Sequence, residues 1–281
     1  MNDLSQELIC HIASFLERDD DESDTLLLFR KKALSKLPPF ATISRQWQYA
    51  IERRTFRSLS VKSTELPYIS SLIIRHRRGV LANLTYRIVL PTYDDDACAK
   101  FENEVDKRFN NVFFTEAIHG LFRLLKSWEE ESGKRNQDGS WSHTRPISLD
   151  FAQVYSPMDR KHRGAEKYKK DRRLHDVGRR YDLWEHRYEH SFLQLLETQD
   201  LPVLSRILDL QASINYPRAM EPRSIVAIAA KLSDLKSITW ELNDDEKKYV
   251  QLQQDNRYGM PRLEKSLFRV LPGKLLLIHF R

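Results

Sequence analysis

Apolar positions recur at helical spacing in the opening sixty residues and switch to a mixed rhythm afterwards. In "LSQELICHIASFL" (4–16), Leu4, Leu8, Ile12, Phe15 and Leu16 fall on one helix face. Asp3 and Gln6 stand three apart, the spacing of a capping box at the start of that helix. A helical piece, "TLLLFRKKALSKL", follows an acidic interruption. Pro38-Pro39 then ends it and opens a further helix over 39–53. On this helix Ile43, Trp47, Ala50 and Ile51 share one side, and Arg45, Gln48, Glu52 and Arg53 take the other. With Phe56 and Leu59 the pattern predicts a small all-helical module over residues 1–60. A unit of that size buries only a modest share of its surface. Some of its large apolar groups are therefore expected to meet a partner or the following domain.

Beyond residue 60, helical stretches alternate with short strand-like runs. "VFFTEAIHGLFRLLKSWEEE" (112–131) reads as a long amphipathic helix and "ISLDF" (147–151) as a strand. Residues 71–90 read as a helix end followed by the strand "YRIVL". "YDLWEHRYEHSFLQLLE" (181–197) reads as helix, "VLSRILDLQ" (203–211) as strand, "PRSIVAIAAKLSDL" (222–235) as helix and "SITWEL" (237–242) as a half-buried strand. "RLEKSLFRVLPGKL" and "LLIHF" (276–280) repeat the unit. Leu232, Leu235 and Ile238 correspond to Leu271, Leu275 and Ile278. A period of roughly 40 residues, each unit covering its neighbour, is the logic of an irregular solenoid. Ordinary α/β packing is the competing arrangement. The fold class is thus α+β or α/β: a helical module over 1–60, a junction over 61–110, and a helix–strand array over 111–281. The last strand-like run stops one residue before Arg281 with no polar capping unit, so either a shortened array or a last unit capped by something else is expected.

Composition narrows the compartment and the chemistry. The 281 residues are 41% hydrophobic and 31% charged, enough for one large or two modest cores. Two cysteines, Cys10 and Cys98, make no disulfide framework, and no apolar run nears the ~18 residues of a membrane span. With no leader ahead of the first helix, a cytoplasmic or nuclear home is expected. The net charge of +6 is uneven: "ERDDDESD" (17–24) is strongly acidic, whereas 159–190 is basic. Such runs are usually solvated faces. The basic stretch "RKHRGAEKYKKDRRLHDVGRRY" mixes tyrosines with cations, as nucleic-acid grips do, but Glu166, Asp171 and Asp176 punctuate it.

The two halves of the opening module resemble the F-box motif. That motif runs as leucine-proline-x-glutamate, an apolar helix, then valine-serine-x-x-tryptophan and a closing aromatic. Leu4, Glu7, Leu8, Ile12, Phe15 and Leu16 match the first part; Ile43, Ser44, Trp47, Phe56 and Leu59 match the second. Ser5 stands where the motif has proline, and residues 17–36 are an insertion between the halves. The remainder looks like the F-box proteins of filamentous fungi, and the motif covers about a fifth of the chain. The resemblance implies a leucine-rich-repeat-like array behind the F-box. It also implies binding to the Skp adaptor and cullin scaffold of a ubiquitin ligase, with an unnamed protein substrate and no catalysis by the chain itself. Leu4, Leu8, Ile12 and Ile43 are expected nearest the adaptor, and Trp47 nearer the module's own core. On strand parity, Asp150, Arg206, Asp209, Thr239 and Glu241 are candidate substrate contacts. A scaffold without a client, or a basic nucleic-acid-associated protein, are the alternatives.

Competing chemistry is thin. "HRYEH" (186–190) has the inverted zinc-peptidase spacing, with His186 and His190 as ligands and Glu189 as base, but no third ligand follows. Neither a Gly-rich phosphate loop nor a G-x-S-x-G elbow occurs. Cys98 follows "YDDDA", an acidic flank that raises a thiol pKa. No metal or cofactor is expected.

Overall fold

The computed structural model describes residues 4–15, 38–98, 100–132, 145–161, 187–188, 191–212 and 218–240. It contains mixed helix and strand built on one five-stranded parallel sheet. In chain order the elements are α1 (Gln6–Phe15), α2 (Arg45–Thr55), β1 (Ser58–Lys62), α3 (Leu66–Leu72), α4 (Arg75–Val80) and β2 (Asn83–Val89). They continue with α5 (Glu104–Ser132), β3 (Ile147–Tyr155), α6 (Pro157–Lys161), β4 (Ile207–Ala212), α7 (Pro222–Ala230) and β5 (Ser237–Trp240). Among the described residues the strands pair in sequence order, β1-β2-β3-β4-β5.

Register explains the core. Leu59, Leu84, Leu149, Leu210 and Ile238 lie side by side across all five strands, forming one aliphatic row. Val61, Tyr86 and Phe151 form a second row beside it. Because strand side chains alternate between faces, these rows all point one way. They meet Phe114, Ile118, Leu121, Phe122, Leu125 and Trp128 of α5 and Ile225, Ile228 and Ala229 of α7 in one continuous core. A β-carbon at Gly120 would sit 3.2 Å from Leu66 Cδ1, so that glycine marks the close approach of α3 to α5. Two bulges set the rows: the partner of β2 skips Ala152 after Phe151, and the partner of β3 skips Leu208 before Asp209.

Several elements depart from the sequence reading. The sheet begins at Ser58, so Leu59 belongs to a strand and β1 straddles the boundary expected between module and junction, while β2 overlaps the strand expected at "YRIVL". Strands start at 58, 83, 147, 207 and 237, with no even period. The long helix starts eight residues earlier than expected, at Glu104 instead of 112. Pro38–Thr42 is a 3₁₀ turn, and α2 starts only after Ser44, whose hydroxyl caps the Trp47 N–H. At α1 the Leu8 N–H donates to Ser5 Oγ at 3.3 Å, so Ser5 serves as a cap; Asp3 of the expected capping box lies outside the described residues.

Of the helix expected over 181–197, residues 187–188 are helical, 181–186 and 189–190 lie outside the described residues, and the C-terminal part is a correction. Residues 191–197 are not helical. Their backbone donors are taken by distant side chains: Gln194 by Asn111, Leu195 by Ser224 and Leu196 by Thr115, all at 2.8–3.1 Å. Tertiary hydrogen bonds from α5 and α7 replace the helical ladder here. The pieces 17–36 and 162–186, the H-x-x-E-H residues His186, Glu189 and His190, Glu241, and 241–281 with its last expected unit lie outside the described residues.

Candidate functional site

The α1–α2 pair has its own small core, separate from that of the sheet. Ile9, Ala13 and Ala50 are buried against one another, with Cys10 and Trp47 packed on their edge. The Trp47 ring stacks on Phe40, centroids 6.1 Å apart, and Gln6 Nε2 donates to the Gln46 carbonyl at 3.1 Å. Trp47 therefore lies half-buried within the pair. The larger aliphatic residues point away: Leu4, Leu8, Ile12 and Ile43 are 38%, 51%, 37% and 49% exposed. Leu8 and Ile12 stand four apart on the outer side of α1, and Leu4 lies exposed just ahead of its first turn. Tyr49 on α2 is exposed as well and was not singled out from sequence.

Arginines clamp this pair to the sheet unit. Arg77 Nη2 donates to Glu52 Oε1 at 2.7 Å while its guanidinium covers the Phe56 ring at 4.5 Å. His76 Nε2 lies 2.6 Å from Glu52 Oε2. Chiefly through the Arg77 hydrogen bond, and against the opposing effect of burial, the Glu52 carboxyl is pulled from 4.5 down to about 2. Arg78 extends the clamp to α5, pairing with Glu131 and lying 5.5 Å over the Trp128 ring.

The second candidate is the polar face of the sheet, opposite the core among the described residues. Ser58, Asn83, Ser148, Asp209 and Ser237 make one polar row; Ser60, Thr85, Asp150, Gln211 and Thr239 make the next. Lys62, Arg87 and Gln153 follow beyond them. Asp150, Asp209 and Thr239 from the sequence reading thus share this face, joined by Thr85, Arg87 and Gln211, which that reading missed. Parity along each strand signals them; the alignment between strands does not appear in sequence. Arg206 lies elsewhere. It precedes β4, donates its backbone N–H to Glu129 Oε1 at 2.8 Å and its Nη2 to the Arg145 carbonyl at 2.9 Å. Burial lowers its pKa, and it acts as a strand-edge clamp.

At the other strand ends sits a buried polar network. Tyr93 and Tyr188 donate to Asp159 Oδ1 at 2.8 and 2.9 Å, and the Ser156 N–H donates to Oδ2 at 2.7 Å. Burial raises the Asp159 pKa more than these bonds lower it, and burial likewise raises both tyrosines. Arg218 pairs with Glu102 at 2.5 Å and stacks on Tyr188; Arg187 pairs with Asp106 at 2.8 Å and stacks on Tyr93. Each acid is matched to donors in a buried, tightly bonded array that ties β3 to α5. Among the described residues no group of His, Cys, Asp and Glu has the makings of a metal site, and no helix is long and apolar enough to cross a membrane. Cys98 is a buried free thiol.

No protein-family model matches the chain, and a search of curated proteins returns no similar sequence.

Proposed function

We propose that the chain is an F-box-type substrate receptor: its α1–α2 pair binds the Skp adaptor of a cullin ubiquitin ligase, and its sheet unit holds a protein client. The observation that carries this reading is the inside-out sorting of the helical pair. Leu4, Leu8, Ile12 and Ile43 stand exposed while Ile9, Ala13 and Ala50 fill the interior. An aliphatic stripe of that kind suits a protein–protein contact. Trp47 contributes from within, by fixing the pair on which the stripe is displayed.

The sequential parallel strands, with helices over one face and polar rows on the other, favour an irregular leucine-rich-repeat-like array. The polar face is then the client surface, with Asp150, Asp209 and Thr239 among its contacts. Such a receptor breaks no bonds. It raises the local concentration of client lysines near the ubiquitin-carrying enzyme. The proposal sets the protein in the cytoplasm or nucleus, where that ligase works.

Co-purification of the full chain with a Skp-type adaptor tests the reading. The wild type is expected to retain the adaptor and Leu8→Asp/Ile12→Asp to lose it. Both changes fall on exposed positions, so the thermal transition of the sheet unit should not move. An adaptor still bound by the double variant, or never bound by the wild type, rejects the assignment.

A further inference from the structure

Helix α5 carries two apolar faces. Phe114, Ile118, Leu121 and Leu125 are buried in the core beneath the sheet. On the opposite side Val105, Phe109, Val112 and Phe113 follow at i, i+4, i+7 and i+8 and are 77%, 53%, 37% and 38% exposed. The Phe109 and Phe113 rings meet edge to face with centroids 4.8 Å apart, which joins them into one ridge. Leu196, 48% exposed, lies alongside. Its N–H donates to Thr115 Oγ1 at 3.1 Å, and the Glu197 carbonyl lies 2.8 Å from His119 Nε2.

A contiguous exposed apolar ridge marks a contact with another macromolecule, and the charges along it say which. Arg108 and Glu116 are both exposed and stand one on each side of Val112, four residues or ~6 Å away. Among the described residues neither has an ion-pair partner, whereas neighbouring Lys107 and Glu104 pair with each other at 2.7 Å. A ridge flanked by one sign of charge would fit a partner of the other sign. Opposite charges placed symmetrically about one residue fit a second copy of the same ridge, turned end for end.

We propose that the chain forms a twofold homodimer in which α5 packs antiparallel on α5 of a second copy about Val112. Each Arg108 then meets Glu116 of the other copy, and Phe109 and Phe113 pack around its Val112. Val105, seven residues before the axis, comes level with residues 115–119 of the other helix, the stretch beside Leu196. At ~200 Å² for a whole aromatic side chain and ~100 Å² for an aliphatic one, the exposed fractions offer roughly 350 Å² of apolar surface per copy. A standard interface needs ~800 Å² per partner, a little over half of it apolar, and the stems of Arg108 and Glu116 supply most of the difference. The dimer is accordingly of micromolar strength. It is also back to back, since α5 covers the core side of the sheet and leaves both polar faces outward. The clamp that holds the α1–α2 pair meets α5 at Trp128 and Glu131, ~24 Å along the helix from Val112. The pairing is thus independent of adaptor binding.

Sedimentation velocity of the full chain from ~5 to ~200 µM, a span that brackets a micromolar constant, tests the proposal. The mass is expected to rise from 33.3 kDa toward twice that value. Phe109→Asp and Val105→Asp, both at exposed positions, should each stay folded by far-UV circular dichroism and weaken the dimer by roughly tenfold or more. Arg108→Glu and Glu116→Arg should each weaken it by roughly tenfold, because each sets two like-charge contacts across the axis. Arg108→Glu/Glu116→Arg should recover the wild-type constant, which no unfolding effect would do. Leu8→Asp/Ile12→Asp should dimerise as the wild type does. A wild type that keeps the single-chain mass at the highest concentration overturns the proposal. So does a dimer undiminished in both aspartate variants, a charge-swapped double variant no tighter than the singles, or a dimer lost in Leu8→Asp/Ile12→Asp.

Discussion

Glu102→Gln isolates the electrostatic term that holds the network at the strand ends together. Both side chains of the Glu102–Arg218 pair are fully buried. Arg218 has a single strong anchor, Nη2 to Glu102 Oε2, while its Nε and Nη1 have no hydrogen-bond partner and its plane rests 4.8 Å from the Tyr188 ring centroid. Asp159 contributes attraction, but burial raises its pKa and weakens it as a compensating charge. Removing the Glu102 charge therefore leaves a buried guanidinium almost uncompensated, a loss expected at ~3–5 kcal/mol. The exposed Lys107–Glu104 pair, with Glu104 87% exposed, is worth only ~0–1 kcal/mol and provides the control.

A double-mutant cycle decides whether the loss comes from pairing or from packing. Arg218→Met alone strands a carboxylate that, among the described residues, is held otherwise by Asn110 Nδ2 at 2.5 Å, so it too should cost several kcal/mol. Glu102→Met/Arg218→Met exchanges the pair for apolar volume and should return to within ~1 kcal/mol of wild type, because neither desolvated charge remains. Urea unfolding read by far-UV circular dichroism measures all three. Single variants that each cost under ~1 kcal/mol, or a double variant whose loss equals the sum of the singles, would refute the account. Adaptor capture should be unaffected throughout, since the α1–α2 core is separate.

Trp47→Ala removes the ring that packs on Ile9, Ala13 and Ala50 and stacks on Phe40. At half burial the expected loss is ~2 kcal/mol, below the range for a fully buried tryptophan. It should appear as lost adaptor capture with the unfolding transition of the sheet unit unchanged. Glu52 has a folded pKa pulled below its ordinary value, so its contribution is present above pH 4.5 and disappears as pH falls toward about 2. The stability gap between wild type and Glu52→Gln, from urea midpoints, should accordingly be full at pH 6 and close between pH 4.5 and 2; a gap constant with pH would contradict the Arg77 clamp.

How much of this was legible in the sequence depends on which interactions are local. The alternation in "YRIVL", "ISLDF" and "SITWEL" marks Tyr86, Ile88, Leu149, Phe151 and Ile238 as inward positions because a strand's own geometry sorts them. Alignment between strands is not local. Parallel strands are joined by long crossovers of unequal length, and single-residue bulges at Ala152 and Leu208 decide that Asp150 stands beside Thr85 and Gln211. The tail of the misread helix failed for the same reason, since Asn111, Thr115 and Ser224 that occupy its donors come from far along the chain. β1 was overlooked because "SLSVK" offers only Leu59 and Val61 to the core.

The helical pair poses a sharper version of the problem. Apolar residues of α1 run most of the way round it, so periodicity gives either Leu4, Leu8 and Ile12 or Ile9 and Ala13 as the inner face. The packing of the pair resolves the choice. Small Ala13 and Ala50 beside Ile9 let two short helices approach closely, with Trp47 packed at the margin. The leucines are then turned out by the geometry of the pair itself. That arrangement gives up apolar burial in the isolated chain, and a second surface laid over the stripe would recover it. The exposure of Leu8 and Ile12, more than the motif's letters, is therefore what favours α1 as a docking helix.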